Sequence, residues 1–428
     1  GGGVKNWMGI PFASPPVRFM PPQDPQPWST PLETTKESDS CLQQFGYPEA
    51  SRNLTIKIFS TPMPKESEDC LYLNVWAPAG PAPSQGFPVM FYIYGGNLQF
   101  GHGALPQYSG ENIARERNVV LVNFNYRTNV FGFPGAPSLK KGENNLGFLD
   151  QRKALDWTNK NIKAFGGDPK KVTIFGESAG GFSVKQLVAN PPDPLPFRAA
   201  IMQSQAASVR GGAESFLKLA SALHCNTTMA LECVRHADAR EIKSIIEHQR
   251  IDFGPQEDGI THTVDTRPNY KSGKAAKVPI IIGTNKNEGS AFAHIGLATP
   301  NTTLEQFLGA FVPGGKPVAE FVLNEVKPLY PWTRYRSDVA LAGAIFTDLG
   351  FTCGTNFLAT SLRDNGYTVY RYFYTAAFPS QAKFENAGAY HSSEVDAILG
   401  TYMPTIHAMD RVSNVIQSIW SGFAKNPS

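Results

Sequence analysis

The run GESAGG, residues 176–181, sets one hydroxyl among small residues, between an apolar stretch (Val172 to Phe175) and a helically spaced one (Ala179 to Val188). A strand that turns directly into a helix there presents Ser178 at the joint. Gly176 and Gly180 leave out the Cβ atoms that would otherwise collide, so the serine can be held strained and exposed. An ordinary glycine-rich turn has the same bare pattern, so the rest of the chain must decide. A serine hydroxyl becomes a nucleophile only when a base takes its proton, and the base needs a carboxylate to fix its tautomer. Downstream, Glu288 follows the apolar run VPIIIGT and His391 follows YTVYRYFYTAAF. Other histidines compete, among them His102, His262 and His294, but His391 has the position after a strand. Attack on a carbonyl also needs N–H donors for the oxyanion. YIYGGN ends a strand at Gly96 and Asn97, whose N–H groups can converge with that of Ala179 at the start of the helix.

The elements that must position these groups alternate. LYLNVWAP and FPVMFYIY read as strands and as an early antiparallel hairpin; NVVLVNFNY (118–126) is a further buried strand. An amphipathic helix over 146–167, closed by glycines, precedes the strand that leads to Ser178, and FRAAIMQS (197–204) follows as another strand. VPIIIGT and YTVYRYFYTAAF complete the series. Such alternation gives an α/β fold, a mostly parallel sheet with helices on both faces and ligands at the strand C-terminal ends. The order serine, acid, histidine is that of α/β-hydrolases. The expected organisation is one catalytic domain over 1–428, with helical insertions around 208–260 and 296–360.

A net charge of +3 with 18% charged residues forms no basic stripe, which argues against nucleic-acid partners and for small neutral substrates. No apolar run reaches transmembrane length. The opening GGGVKNW has no charged region before an apolar one, so any signal peptide is expected to have been removed or never present. Five cysteines form two local pairs, Cys41 with Cys70 and Cys225 with Cys233, and leave Cys353, read as a core residue; reduced, buried cysteines are the alternative. Three N-x-[ST] sequons, Asn53, Asn226 and Asn301, lie in polar stretches read as loops, two of them between paired cysteines. Together these favour a glycosylated, secreted protein.

The motifs GIPFASPP, SEDCLYLNVWAP, YIYGGN, VNFNYR, NLGFLDQRKALDW, NIKAFGGDPKKVTIFGESAGG, IIGTNKNEG and GAYHSSEVDAILG make the chain resemble the type B carboxylesterases, the cholinesterase-like α/β-hydrolases, most closely their fungal secreted members. The resemblance implies Ser178 as nucleophile, Glu288 as acid, His391 as base and Gly96, Asn97 and Ala179 as oxyanion hole. It implies the Cys41–Cys70 and Cys225–Cys233 bridges and sets Ser204 beside the triad, with no metal or other cofactor. Asn97 stands where the family usually has a third glycine. The chain is also shorter than typical members, through trimmed loops or segments absent from it. The expected activity is hydrolysis of small-molecule esters through an acyl-enzyme, rising with pH through His391 to a plateau in neutral to mildly alkaline buffer. The segment between Cys41 and Cys70, which covers the site entrance in the family, holds no tryptophan for a choline headgroup and no continuous apolar face. Soluble, short- to medium-chain esters are therefore expected, with a long-chain lipase or sterol esterase as the alternative. A non-catalytic binding protein on the same fold is the reading of another class.

Overall fold

In the computed structural model, residues 3–206, 211–299, 301–311, 315–403 and 407–427 are described. Eight strands form one sheet: β1 (Val4–Pro11), β2 (Tyr72–Pro78), β3 (Phe87–Ile93), β4 (Val120–Phe124), β5 (Gly167–Glu177), β6 (Ala199–Gln203), β7 (Ile280–Asn285) and β8 (Val369–Tyr374). Their spatial order is β1-β2-β4-β3-β5-β6-β7-β8. β1 pairs antiparallel with β2, and β2 with β4; every other pairing is parallel. β4, β6 and β7 are buried along their whole length, as strands covered on both faces are, and are mostly apolar, with Asn123, Gln203, Thr284 and Asn285 as buried polar exceptions.

Four expectations change, two of them in the regular elements. LYLNVWAP and FPVMFYIY do not form a hairpin: β4 lies between β2 and β3, so the chain leaves the sheet and returns before β3 gains that neighbour. Local spacing carries no information about such an insertion. The helix expected over 146–167 is α-helical only over Leu146–Asn161 and tightens into a 3₁₀ turn at Ile162–Phe165. Gly166 ends it at φ +85°, and Gly167 already opens β5. β8 is an edge strand, which leaves Phe373 60% exposed despite its apolar sequence. β1 pairs along the opposite end of the sheet, and its mixed polar run gave no strand signal.

The main core runs through the central strands and takes Leu358 and Leu362 from the helix Cys353–Asp364 and Trp420 from the helix His407–Lys425. A second core, including Phe19, Phe216 and Ile242, underlies the helices Ala213–Ala222, Ala230–His236 and Ala239–His248. A third, including Phe307, Leu341 and Phe346, underlies Leu304–Phe311, Gly315–Phe321 and Asp338–Thr347. The helix Cys353–Asp364 packs on the sheet, and 208–210, 300 and 312–314 of the stretches expected as helical insertions lie outside the described residues. Cys41–Cys70 and Cys225–Cys233 are disulfides. Cys353 is exposed rather than buried in a core. Asn53 lies within the helix Glu49–Phe59 and not in a loop, although its side chain is exposed; Asn226 and Asn301 are exposed outside α-helix. Among the described residues no helix is long and apolar enough to cross a membrane.

Candidate active site

The joint between β5 and the helix Ala179–Ala189 holds Ser178 at φ 57° and ψ −123°, far from either regular structure. Its N–H donates to Gln203 O at 2.9 Å, which ties the elbow to β6. The two elbow glycines are sterically compelled. A Cβ on Gly176 would lie 2.6 Å from Ile93 O, and one on Gly180 would lie 1.9 Å from it. Larger residues would push β3 away from β5.

The end of β3 then runs directly past the serine. A Cβ on Gly95 would sit 2.8 Å from Ser178 Cβ, so the Gly95-Gly96-Asn97 backbone lies against the elbow. Gly96, Asn97 and Leu98 have φ of 107°, 56° and 59°. Successive residues in this region turn their N–H groups toward a concavity that suits an anion. Asparagine is among the few non-glycine residues that adopt such a conformation readily, which accounts for its presence where a glycine is usual.

Glu288 opens the helix Glu288–Gly296 just after β7, and His391 follows β8 in the chain. The two loops are bound together: Asn287 N donates to Ala389 O at 3.0 Å, and Ala389 N to Asn287 Oδ1 at 3.1 Å. This brings His391 Nδ1 to 2.6 Å from Glu288 Oε2, both groups buried. The other Glu288 oxygen accepts from Ser204 Oγ at 2.5 Å and from Asn285 N at 2.6 Å. A carboxylate so fully used is fixed in orientation and fixes the ring in turn. Ser204, at φ 45°, is thus placed on the acid.

Two further carboxylates were not singled out in the sequence. Glu177, next to Ser178, has Oε1 at 3.1 Å from His391 Nε2, an ion-pair distance without hydrogen-bond alignment, and accepts from Ser392 Oγ at 2.8 Å. Glu394 is bound by Gln203 Nε2 at 3.1 Å and Asn285 Nδ2 at 2.5 Å. Burial, opposed by His391 and reinforced by Glu394, pushes Glu177 up to about 8; burial and then the Glu288 charge push Glu394 up to about 7. Burial opposes a charge on His391, but Glu177 and then Glu288 outweigh it and raise the imidazole to about 9. A charged residue between a buried strand and the elbow serine was the available signal for Glu177; Glu394 had none apart from its closeness to His391 in the chain.

Three phenyl rings crowd the imidazole: Phe351 at 4.8 Å, Phe292 at 5.0 Å and Phe59 at 6.3 Å between centroids. Phe59 comes from the helix inside the Cys41–Cys70 segment. The competing histidines have other settings. His102 and His262 are buried, beside the backbone of Pro62 and of Gln256 respectively, and burial holds His102 down to about 4. His294 stacks on Phe384. Two surface clefts of about 400 and 460 Å³ lie along the helix Leu146–Asn161, by Trp28 and Leu195, and include none of the residues assembled here.

The carboxylesterase family model matches residues 1–428. The chain belongs to the carboxylesterase family. This esterase is 34% identical to the para-nitrobenzyl esterase of Bacillus subtilis (strain 168) over 460 residues, covering all of this chain and 87% of the relative. It is 30% identical to the cholinesterase of Mus musculus over 465 residues, covering 99% of this chain and 76% of the relative. Two solved structures of a PNB esterase superpose with TM-scores of 0.78 and 0.79 at 32% identity, covering 99% of this chain and 87% of theirs. The esterase thus has the α/β-hydrolase fold and hydrolyses carboxylic esters of small molecules.

Proposed function

We propose that the esterase works through Ser178 as nucleophile, His391 as general base and Glu288 as the acid that orients it. The buried 2.6 Å contact between His391 Nδ1 and Glu288, made at the sheet end where the elbow emerges, is the observation that carries this reading. His391 Nε2 takes the Ser178 proton as Oγ attacks the carbonyl carbon, and the oxyanion is met by the N–H groups of Gly96, Asn97 and Ala179. The proton passes to the leaving alcohol, and water repeats the sequence on the acyl-enzyme to release the acid. Ser204 keeps Glu288 in register. No metal or other cofactor takes part in these steps.

The substrates proposed are soluble esters with short or medium acyl chains. Phe59, Phe292 and Phe351 wall the base with rigid rings, which favours compact acyl groups over long ones. The names of the relatives make para-nitrobenzyl esters sensible probes, and the lack of a tryptophan between Cys41 and Cys70 argues against choline esters. We assign one catalytic domain to 1–428 and a secreted setting, with glycans on Asn53, Asn226 and Asn301; both disulfides and the exposure of all three asparagines support this. The test is hydrolysis of p-nitrophenyl esters from acetyl to palmitoyl by the protein and by Ser178→Ala. Serine-dependent turnover that peaks at short or medium chains is expected. A peak at palmitoyl would overturn the substrate class, and full activity in Ser178→Ala would overturn the nucleophile.

A further inference from the structure

The oxyanion loop cannot hold itself. Asn97 and Leu98 both sit in the left-handed region, which asparagine tolerates but which is strained for a leucine. Unless outside contacts over-determine it, such a loop relaxes and its N–H groups leave their positions. The contacts come from two places distant in sequence.

One is Thr128-Asn129. Asn129 N donates to Leu98 O at 2.7 Å. Its buried Nδ2 lies 3.1 Å from Gln99 O and 2.8 Å from Leu42 O, so a single amide joins the oxyanion loop to a third segment. Thr128 Oγ1 reaches the same two carbonyls, at 3.0 and 3.2 Å. Asn129 itself has φ 45°. The second place is the stretch just after Cys41. Gln43 Oε1 accepts from Gly101 N at 2.8 Å, Gln44 N donates to Gln99 O at 2.9 Å, and the Phe45 ring stacks on Phe100 at 4.9 Å. The covalent tie from Cys41 to Cys70 limits the travel of this stretch.

We infer that Gln43 and Asn129 are positioning residues for the oxyanion hole: they fix the Gly96 and Asn97 N–H groups by clamping residues 98–101 to the disulfide-anchored segment 42–45. Neither side chain touches the ester. They act through the loop backbone, on an interaction that matters only once the carbonyl oxygen carries charge. Their loss therefore lowers kcat and leaves KM nearly unchanged. The inference rests on the reading of Gly96 and Asn97 as oxyanion donors.

The test uses Asn129→Gly, which retains the φ 45° backbone and its N–H bond to Leu98 while deleting the amide, and Gln43→Met, which has a similar shape without the acceptor. Active sites are titrated with a phosphonate, so misfolded protein does not enter kcat. A loop displaced by a fraction of an ångström weakens one or two donors, and kcat per titrated site is expected to fall about 10- to 100-fold. Binding of a trifluoromethyl ketone, whose hemiketal oxygen occupies the hole, should weaken by a similar factor, with KM within about twofold. In a parallel arm an α-hydroxy acid at position 97 replaces the amide by an ester and removes that one N–H. If the ester costs tenfold or more while both side-chain variants keep full kcat and ketone affinity, the hole stands and the clamp is refuted, whatever their melting temperatures. If the ester costs nothing, the reading of the hole fails, and the clamp with it.

Discussion

Replacing Glu177 by glutamine keeps the shape beside the elbow and removes the carboxylate 3.1 Å from His391 Nε2. That charge stabilises the imidazolium, so its removal lowers the pKa of the base from about 9. With the charge centres about 4 Å apart, the interaction is worth about 1 kcal/mol in water and about 4 kcal/mol at an effective dielectric of 20. At 1.36 kcal/mol per unit, the expected fall is roughly 1 to 3 units. Glu177 itself holds its proton up to about 8, so it is fully charged only above that pH and the lower end of the range is the safer expectation. Neutral imidazole is the reactive form. The upper part of the acid limb of kcat/KM against pH must then move down by about one unit, and Glu177→Gln must exceed the parent in relative activity between about pH 8 and 9, where the parent carboxylate is charged. The measurement is kcat/KM for p-nitrophenyl acetate from pH 5.5 to 10 on both proteins. A midpoint that stays or moves up would refute the electrostatic coupling, because removing a carboxylate that stabilises the imidazolium can only make the base harder to protonate.

Gly180→Ala would force a Cβ to 1.9 Å from Ile93 O and 2.9 Å from Tyr94 O, both backbone; a loss above about 3 kcal/mol in denaturant unfolding, or no soluble protein, is expected. Arg127→Ala would strand Asp150, fully buried and doubly bonded to the guanidinium at 2.8 Å, at a cost of about 3–5 kcal/mol by the same measurement, whereas Arg127→Met with Asp150→Leu should recover part of it. Loop-closure entropy for separations of 29 and 8 residues gives about 3.6 kcal/mol for Cys41–Cys70 and about 2.5 kcal/mol for Cys225–Cys233. Paired Cys→Ser variants should rank in that order in urea midpoint; the reverse order would show that native contacts outweigh chain entropy.

Much of this enzyme was fixed by local chemistry and so could be read along the chain. The elbow is legible because only glycine tolerates the approach of Ile93 O at positions 176 and 180. β4, β6 and β7 are legible because strands covered on both faces are built mainly from apolar side chains, with polar ones only where hydrogen bonds await them. Glu288 and His391 stand out because catalytic groups on a parallel sheet come from the ends of strands. The order of the strands was not available in this way. β4 lies between β2 and β3 through pairings that join residues far apart in sequence, and no local spacing encodes such a choice. The network around the base had the same origin. Glu177, Glu288 and Glu394 belong to three segments, and each side chain is ordinary until the fold buries all three around one imidazole, where Glu177, Glu394 and His391 are all raised. Likewise, Gln43 and Asn129 are unremarkable amides in sequence, and only the packed structure brings them to the carbonyls and N–H groups of the loop that faces Ser178. The sequence by itself determined which groups could do the chemistry, because steric and covalent requirements act over a few residues. The tertiary structure decided the proton affinities of His391, Glu177 and Glu394 and how firmly the loop from Gly96 to Gly101 is held, because electrostatics and hydrogen bonding act through space.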